Sequence, residues 1–222
     1  VSFQGNEPAA FARTVQGLGG TVERRLAGLR VAIVSGVGAA GAAQLGALGG
    51  VETTAQDLSI QFIPAPSIGA DALLTLDPAL VGALPAGTNQ AGAAFYSRQW
   101  NMVGIRAAQA WSATTGGAGK VVCVLDTGID LDHPDLGGSV FVSAGWNFFD
   151  NNANIQDVSQ SGSGTMVAGV IAATANNGAG IVGLAWNAQL IPIKVVGRDP
   201  TSGTDVFYWS QVVAGLCRAV EQ

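Results

Sequence analysis

The stretch VVCVLDTGID, residues 121–130, decides the fold of the second half of this chain. Its five leading apolar residues run without a break, which is typical of a strand buried on both faces of a parallel sheet. The strand ends at Asp126, and a turn containing Gly128 follows. Open α/β sheets carry their functional side chains at the carboxyl ends of their strands. The stretch therefore predicts a buried parallel strand that delivers the Asp126 carboxylate to a functional site.

Helical and strand patterns alternate around this strand. Residues 105–111 and 165–175 are predicted helices, residues 189–196 form a second predicted strand, and residues 205–220 have apolar residues at helical spacing. This alternation predicts an α/β fold with a doubly wound parallel sheet. Two or three strands would make a thin sheet with open edges, so we expect this sheet to be partial.

The first 63 residues have a different organisation. Short strands and two helices follow one another in the order β-α-β-β-α-β, with the last strand at 58–62. This order is typical of a small α+β ferredoxin-like unit. Residues 64–93 contain four prolines and little periodicity, so we interpret them as a connector. The predicted domains are therefore 1–63, 64–93 and 94–222.

The composition excludes several classes of partner. The net charge is -5 and charged residues make up only 11% of the chain, so neither nucleic acid nor an anionic membrane is an expected partner. An apolar share of 48% is enough for a substantial core. Cys123 and Cys217 are not in a metal-binding spacing. They are either two buried thiols or a disulfide, and the sequence does not decide between these.

The glycine-rich segment SGSGTMVAG, residues 161–169, predicts the start of a helix whose first turn faces Asp126. It does not match the dinucleotide-binding pattern, because Val167 stands where a third glycine would be needed. A phosphatase-type pair of aspartates is also excluded, since Gly128 stands at the position of the second carboxylate. The segment is therefore interpreted as a partner of Asp126 in another kind of site.

Further motifs extend this pattern along the chain. They are HPDL at 133–136, GSGTMVAG at 162–169 and NNGAGIVGLA at 176–185, followed by the strand LIPIKVV at 190–196. Together with residues 126–130 they resemble, in the same order, the N-terminal half of a subtilisin-like serine protease. The resemblance covers residues 95–222 and implies a partial subtilisin-like fold. It also implies that residues 1–63 are the family's inhibitory propeptide.

In that family an aspartate orients a histidine, which deprotonates a serine carried later in a Gly-Thr-Ser-Met-Ala segment. The resemblance makes Asp126 the orienting carboxylate and puts Ser163 at the position of the catalytic histidine. A hydroxyl cannot act as the general base, because its pKa lies far above neutral pH. The chain contains no Gly-Thr-Ser-Met-Ala segment. We therefore expect a serine endopeptidase by family, inactive as this chain stands.

His133 is the only histidine, and the family pattern makes it a structural residue rather than the base. A natural pseudoprotease and a deliberately inactivated zymogen explain Ser163 equally well. The alternative function is therefore a pseudoprotease or regulatory protein that binds peptides on a subtilisin-like fold. A Gly-Thr-Ser-Met-Ala segment downstream would favour the protease.

The resemblance also implies a structural calcium site. Asp135 and Asn177 would bind Ca²⁺ through their side chains, and both offer the hard oxygen atoms that this ion prefers. The further ligands would be the amide of Gln99 and the backbone carbonyls of Thr174, Ala179 and Ile181. A loop closed by asparagine turns without metal is the alternative.

Substrate binding in the family adds an extended peptide as a strand to an exposed edge. Ser202 and Gly203 lie where the first such edge is expected, and an ordinary surface loop would fit the same residues. The implied partners are a peptide or protein substrate, the chain's own propeptide as an inhibitor, and the missing C-terminal half of the catalytic domain. Residues 86–94 would occupy the groove. The family implies a secreted protein, but neither side-chain preference nor the propeptide cleavage site can be read from the sequence.

Overall fold

The computed structural model describes residues 1–62 and 92–222, which group into two compact units. The first unit comprises Val1–Ser59 and Tyr208–Glu221, and the second comprises Ile60–Phe207 with Gln222. The predicted connector at 64–93 lies almost entirely outside the described residues. The predicted domain boundaries therefore stay a prediction.

Secondary structure is distributed over both units. The strands of the described part are β1 (Ser2–Phe3), β2 (Thr21–Leu26), β3 (Val31–Ser35), β4 (Val51–Thr53), β5 (Ser59–Gln61), β6 (Val121–Asp126), β7 (Trp146–Asn147), β8 (Gln189–Lys194), β9 (Val196–Arg198) and β10 (Asp205–Tyr208). The helices there are α1 (Phe11–Gly17), α2 (Ala39–Gly46), α3 (Trp100–Gly104), α4 (Ala107–Ala113), α5 (Ser163–Ala172) and α6 (Trp209–Val220). None of these helices combines the length and the apolar character needed to cross a membrane.

The first unit is built on an antiparallel sheet with the strand order β2-β3-β1-β4. Phe3 from β1 and Phe11 from α1 meet edge to face in its core, with ring centroids 4.9 Å apart. The predicted last strand at 58–62 is wrong for this sheet, because Val51–Thr53 pairs with β1 instead. Val51 comes directly after the turn at Gly50 and is itself buried, so the nearer segment fills the edge.

Helix α6 belongs to the first unit and starts later than its apolar spacing predicts. Residues 205–208 form strand β10, and the helix begins at Trp209. The carboxylate of Asp57 accepts the Ser210 N–H at 3.2 Å, which satisfies one of the amides that a helix leaves unpaired in its first turn. The strand interrupts the predicted helix because Val206 and its neighbours pair with β9.

The second unit contains the predicted parallel strands. β6, β8 and β7 form a parallel sheet in the order β6-β8-β7, and Asp126 at the end of β6 lies in register with Lys194 at the end of β8. Helix α5 packs on β6, where Ala168 and Ala172 meet Val124 in one apolar cluster. This arrangement confirms that residues 121–125 form a strand of a parallel sheet. The predicted burial on both faces is wrong, because Val121 is 45% exposed and Val124 alone in β6 is buried.

A second, three-stranded sheet in the order β5-β10-β9 accompanies the parallel one. β9 and β10 form an antiparallel hairpin in which Val206 lies opposite Gly197. The N–H of Phe62 donates to the carbonyl of Asp205 at 2.7 Å, just beyond the end of β5. The described chain therefore combines parallel and antiparallel sheets in an α/β fold.

Candidate active site

Asp126 ends strand β6 with a half-buried carboxylate. One carboxylate oxygen accepts the Thr127 N–H at 2.7 Å, and the other accepts the Ser163 hydroxyl at 3.3 Å. Burial raises the pKa of Asp126, and the hydrogen bonds from Thr127 and Ser163 oppose that rise. The structure thus brings together the two residues that the sequence places at the centre of the site.

Two glycines allow helix α5 to begin directly on the loop after Asp126. A Cβ atom at Gly164 would overlap the carbonyl oxygen of Gly128, and one at Gly128 would overlap the carbonyl oxygen of Ile155. Gly128 also has a φ of 105°, which side chains disfavour. Backbone contact between the loop and the helix therefore sets the distance between Asp126 and Ser163.

Side-chain oxygens accept the first three N–H groups of α5. Ser161 accepts the Ser163 N–H at 3.4 Å, Thr127 accepts the Gly164 N–H at 3.0 Å, and Asp157 accepts the Thr165 N–H at 3.2 Å. These amides are the donors that a helix start could otherwise direct at a developing negative charge. The helix start therefore orients residue 163 and does not offer these amides to a reacting group.

His133 has a structural hydrogen bond. Its Nδ1 atom accepts the Asp135 N–H at 3.2 Å, whereas the hydrogen bonds to the Asp126 carboxylate come from Thr127 and Ser163. His133 therefore belongs to the turn that positions Asp135, as the family pattern implies.

Asp135 organises the loop after α5 and is only 3% exposed. Its carboxylate accepts the Asn177 side-chain N–H at 2.6 Å and the Ile181 backbone N–H at 2.9 Å. Its backbone carbonyl accepts both the N–H and the hydroxyl of Thr174, at 2.8 and 3.0 Å. The structure brings four of the predicted calcium ligands, Asp135, Thr174, Asn177 and Ile181, into one loop.

Asp135 and Asn177 carry oxygen atoms of the type that Ca²⁺ binds, but the Asn177 oxygen points away from Asp135. Asp135 is a buried carboxylate, and the ion pair between Arg25 and Glu7 lies elsewhere. Asn177 turns its amide nitrogen toward Asp135 and its oxygen toward the Ala179 N–H, 3.0 Å away. The Asn177 amide would have to turn over to bring its oxygen to a cation beside Asp135.

Gln99 has another partner. Its amide oxygen accepts the Val182 N–H at 2.9 Å and its amide nitrogen donates to the Val182 carbonyl at 2.8 Å. Both polar ends of this buried amide are therefore engaged, and Gln99 anchors the segment after the loop. Within residues 1–62 and 92–222, no group of three or more His, Cys, Asp or Glu side chains is arranged to hold a metal ion. Any cation at Asp135 would therefore depend on amide and carbonyl oxygens.

Ser202 and Gly203 lie in the loop that joins β9 to β10. The Asp199 carboxylate accepts the Ser202 hydroxyl at 2.7 Å, and the Asp199 carbonyl accepts the Gly203 N–H at 2.8 Å. The hydrogen bond from Ser202 lowers the pKa of Asp199. Both predicted substrate-binding residues thus belong to a hairpin turn. They do not form a strand edge themselves; the strands that flank them, β9 and β10, pair with each other.

Two residues of the site are absent from the sequence prediction. Asp157 and Thr165 share a hydrogen bond of 2.8 Å between carboxylate and hydroxyl, and the Thr165 hydroxyl also accepts the Asp130 N–H at 3.0 Å. Nearby, the buried Lys194 ammonium donates to the Gln156 carbonyl at 2.9 Å. Thr165 lies two residues after Ser163 in the glycine-rich motif, so its place in that motif could have indicated a role in the site. Asp157 lies in a polar segment without any periodic pattern.

Comparisons with known proteins match a large part of this sequence and its fold. A model of the subtilase family matches residues 117–211. Thermitase from Thermoactinomyces vulgaris is 38% identical over 128 residues, which cover 58% of this chain and 42% of thermitase. The major intracellular serine protease of Bacillus subtilis is 40% identical over 120 residues, which cover 53% of this chain and 35% of that protein.

One solved structure matches the whole chain. Fervidolysin from Fervidobacterium pennivorans, described as a keratinolytic enzyme related to subtilisin, has a TM-score of 0.66 and 26% identity over 100% of this chain and 33% of its own. The fold and the site thus define a subtilisin-like α/β protein. Residues 117–211 thus resemble the subtilase family, and the matched part spans well under half the length of these relatives.

Proposed function

We propose that this chain is part of a subtilisin-like serine endopeptidase zymogen that hydrolyses peptide bonds, and that it is inactive with Ser163 in place. The observation that carries the proposal is the 3.3 Å hydrogen bond from Ser163 to Asp126 at the start of α5. A carboxylate at this place orients a base, and the residue it orients here is an alcohol that cannot accept a proton near neutral pH. The orienting part of a triad is present and the base is replaced.

Restoring the base tests this proposal. The product of the whole reading frame is prepared with Ser163→His, with Ser163→His and Asp126→Asn together, and unchanged. Each protein is then treated with a fluorophosphonate probe, which labels an activated serine. We expect labelling of the single variant and, since an unoriented imidazole is a poor base, at least about a hundredfold slower labelling of the double variant. A folded Ser163→His protein that takes no label would contradict the protease.

A non-enzymatic role is the second candidate, and the hydrogen bonding around Ser163 favours it. The N–H and the hydroxyl of Ser163 both have hydrogen-bond partners, Ser161 and Asp126. A site that retains a peptide-binding fold and has lost its base would serve as a pseudoprotease or regulatory partner. It predicts an unlabelled Ser163→His protein that still binds an extended peptide.

A propeptide role for the first unit is supported by its element order, β1-α1-β2-β3-α2-β4, with the antiparallel sheet described above. This is the order expected of a ferredoxin-like propeptide. β5 follows this unit and adds a strand to the β9–β10 hairpin. Strand addition is the way in which extended peptides bind an open edge. The N-terminal part would thus act as an intramolecular inhibitor; its predicted tail at 86–94 lies mostly outside the described residues.

The missing C-terminal half of the catalytic domain is proposed as a partner of an uncovered surface on the second unit. Met166, Val167 and Val170 on α5 are 58%, 41% and 45% exposed, and Leu184 beside them is 42% exposed. These four residues are called the apolar face. A helix that is apolar all round is normally buried all round. The relatives contain more than twice the sequence that matches here, which supports a further part of the same domain as the cover.

A structural calcium ion is proposed at the Asp135 loop. Asp135 and Asn177 would hold it with the backbone carbonyls of Thr174, Ala179 and Ile181. Bound Ca²⁺ would supply positive charge to a buried carboxylate and hold the loop closed. Gln99 is left out of this set because Val182 engages its amide.

Secretion is the proposed location, on the strength of the propeptide-like first unit and a small share of charged residues. The relatives do not decide it, since one of them is named as an intracellular protease. Fractionation of cells that express the whole reading frame tests the location directly.

A further inference from the structure

We infer that Asp157 is a positioning residue: through Thr165 it holds the first turn of α5 against the loop at residues 126–130 and so sets the distance between Asp126 and residue 163. The inference rests on the proposed function for its meaning in catalysis. Its geometry stands on the described residues alone.

The contacts of Asp157 span two parts of the site. One carboxylate oxygen accepts the N–H and the hydroxyl of Ser159, at 3.1 and 2.7 Å. The other accepts the N–H and the hydroxyl of Thr165, at 3.2 and 2.8 Å. Ser159 in turn accepts the Gly162 N–H at 3.0 Å. One carboxylate therefore ties both the residues before α5 and its third residue, and a negative charge at a helix start is favourable.

Thr165 connects Asp157 to the loop after Asp126 through hydrogen bonds. Its hydroxyl donates to Asp157 and accepts the Asp130 N–H at 3.0 Å. The backbone N–H of Asp157 donates to the Ile129 carbonyl at 3.1 Å. Since Gly164 packs on Gly128 between these contacts, the helix start and the loop form one hydrogen-bonded unit. Within the described residues, the hydroxyl of Ser163 has its hydrogen bond with Asp126. The position of the Ser163 side chain therefore follows the position of this hydrogen-bonded unit.

The test compares Thr165→Val, which keeps the shape and removes the hydroxyl, with Thr165→Ser, which keeps the hydroxyl. Thr14→Val is the control for the loss of a threonine hydroxyl, because the Thr14 hydroxyl donates to the Ala10 carbonyl at 3.0 Å in the first unit. Two quantities are measured on the intact chain: amide exchange in residues 163–165, and the pH titration of the Asp126 carboxyl carbon by NMR.

We expect Thr165→Val to speed exchange of the first-turn amides about tenfold or more, because the two partly buried hydrogen bonds of the Thr165 hydroxyl are lost. It should also raise the pKa of Asp126, because the opposing hydrogen bond from Ser163 is lost. Thr165→Ser should restore both quantities, and Thr14→Val should change neither. An unchanged Asp126 titration in Thr165→Val, or equal effects of the two valine variants, would overturn the inference.

Asp157→Asn supplies a second route if Thr165→Val does not fold. Asparagine keeps the shape and weakens the acceptor, so exchange at residues 163–165 should again become faster; unchanged exchange would overturn the inference. In the Ser163→His protein of the whole reading frame, Thr165→Val should lower kcat about tenfold or more with KM nearly unchanged. If that protein is never labelled, the protease proposal fails while exchange and NMR still decide the role of Asp157.

Discussion

Asp126 shows at the scale of one residue how a functional carboxylate is held in an apolar setting. It lies at the end of a strand of valine and leucine, with two hydrogen-bond donors as its compensation. The Coulomb effect of Asp157 adds to the rise in its pKa that burial causes. These two hydrogen bonds offset the cost of burying the carboxylate only in part, because the net effect is a raised pKa.

The pH dependence of Asp126→Asn measures that cost. The pKa of Asp126 is raised above its ordinary 3.8 in the folded state, so its ionisation opposes folding and stability falls as the pH rises above that value. We expect the variant and the parent to melt alike near about pH 3, and the variant to melt at a higher temperature near about pH 7.

Thermal melts followed by circular dichroism across this range check the expectation. Asp132→Asn is the control, because it removes a charge from an exposed aspartate in the same segment. An Asp126→Asn protein that melts below the parent at neutral pH would contradict the proposed cost of burial.

At the scale of the element, helix α5 depends on the absence of one side chain. Gly164 lies on the Gly128 carbonyl, whereas the Cβ of a residue at position 169 would meet only the side chain of Ile181 at 3.4 Å. Gly164→Ala should cost about 3 kcal/mol of unfolding free energy, since backbone would have to move. Gly169→Ala should change it by less than about 1 kcal/mol, because better helix propensity offsets the contact. Urea titration measures both, and equal costs would argue against close docking of the helix start.

The loop after α5 provides a second prediction at this scale. If Asp135 and Asn177 hold Ca²⁺, a chelator should lower the melting temperature of the parent by several degrees, as loss of a bound ligand does. Asp135→Asn should melt lower than the parent in calcium and should not respond to the chelator. A parent protein with the same melting temperature in calcium and in chelator would show that the hydrogen bonds of the loop are sufficient without metal.

Some of these elements could be predicted from the sequence and others could not. The apolar run at 121–125 and the glycines of α5 have one physical interpretation each, so the strand, the helix and the meeting of Asp126 with Ser163 could be predicted. The edge strand of the first unit could not, because 51–53 has a single apolar residue, Val51, whereas 58–62 alternates apolar and polar residues as a strand does. Asp157 was missed because it lies in a polar segment without periodicity. The two hydrogen bonds of Gln99 with Val182 could not be predicted because these residues are far apart in sequence.

At the scale of the whole molecule, the apolar face allows a test of whether a further part of the domain covers α5. Val170→Lys places a charge on that face, and Ile105→Lys is a control at a similarly exposed apolar position, 58% against 45%. In the 222-residue chain both should change stability by less than about 0.5 kcal/mol. In the product of the whole reading frame, Val170→Lys should cost about 3 kcal/mol or more, because it would bury an unpaired charge.

Denaturant titration of both variants and their parents, in the short and the long chain, measures these changes in the free energy of unfolding. A Val170→Lys substitution that is equally harmless in both lengths would show that nothing further covers α5. A substitution that is harmful in the short chain as well would mean that the face is already packed.

The position of β6 at the outside of its sheet has a practical consequence. Its sequence up to Asp126 has no charge and no proline, the two devices by which natural proteins keep such strands from recruiting copies of themselves. A strand of this kind can template intermolecular stacking, which grows steeply with concentration and ends in insoluble fibrils. The 222-residue chain should therefore be purified at low concentration and low temperature. The time that a preparation stays free of aggregates will show whether another strand pairs with the open edge of β6.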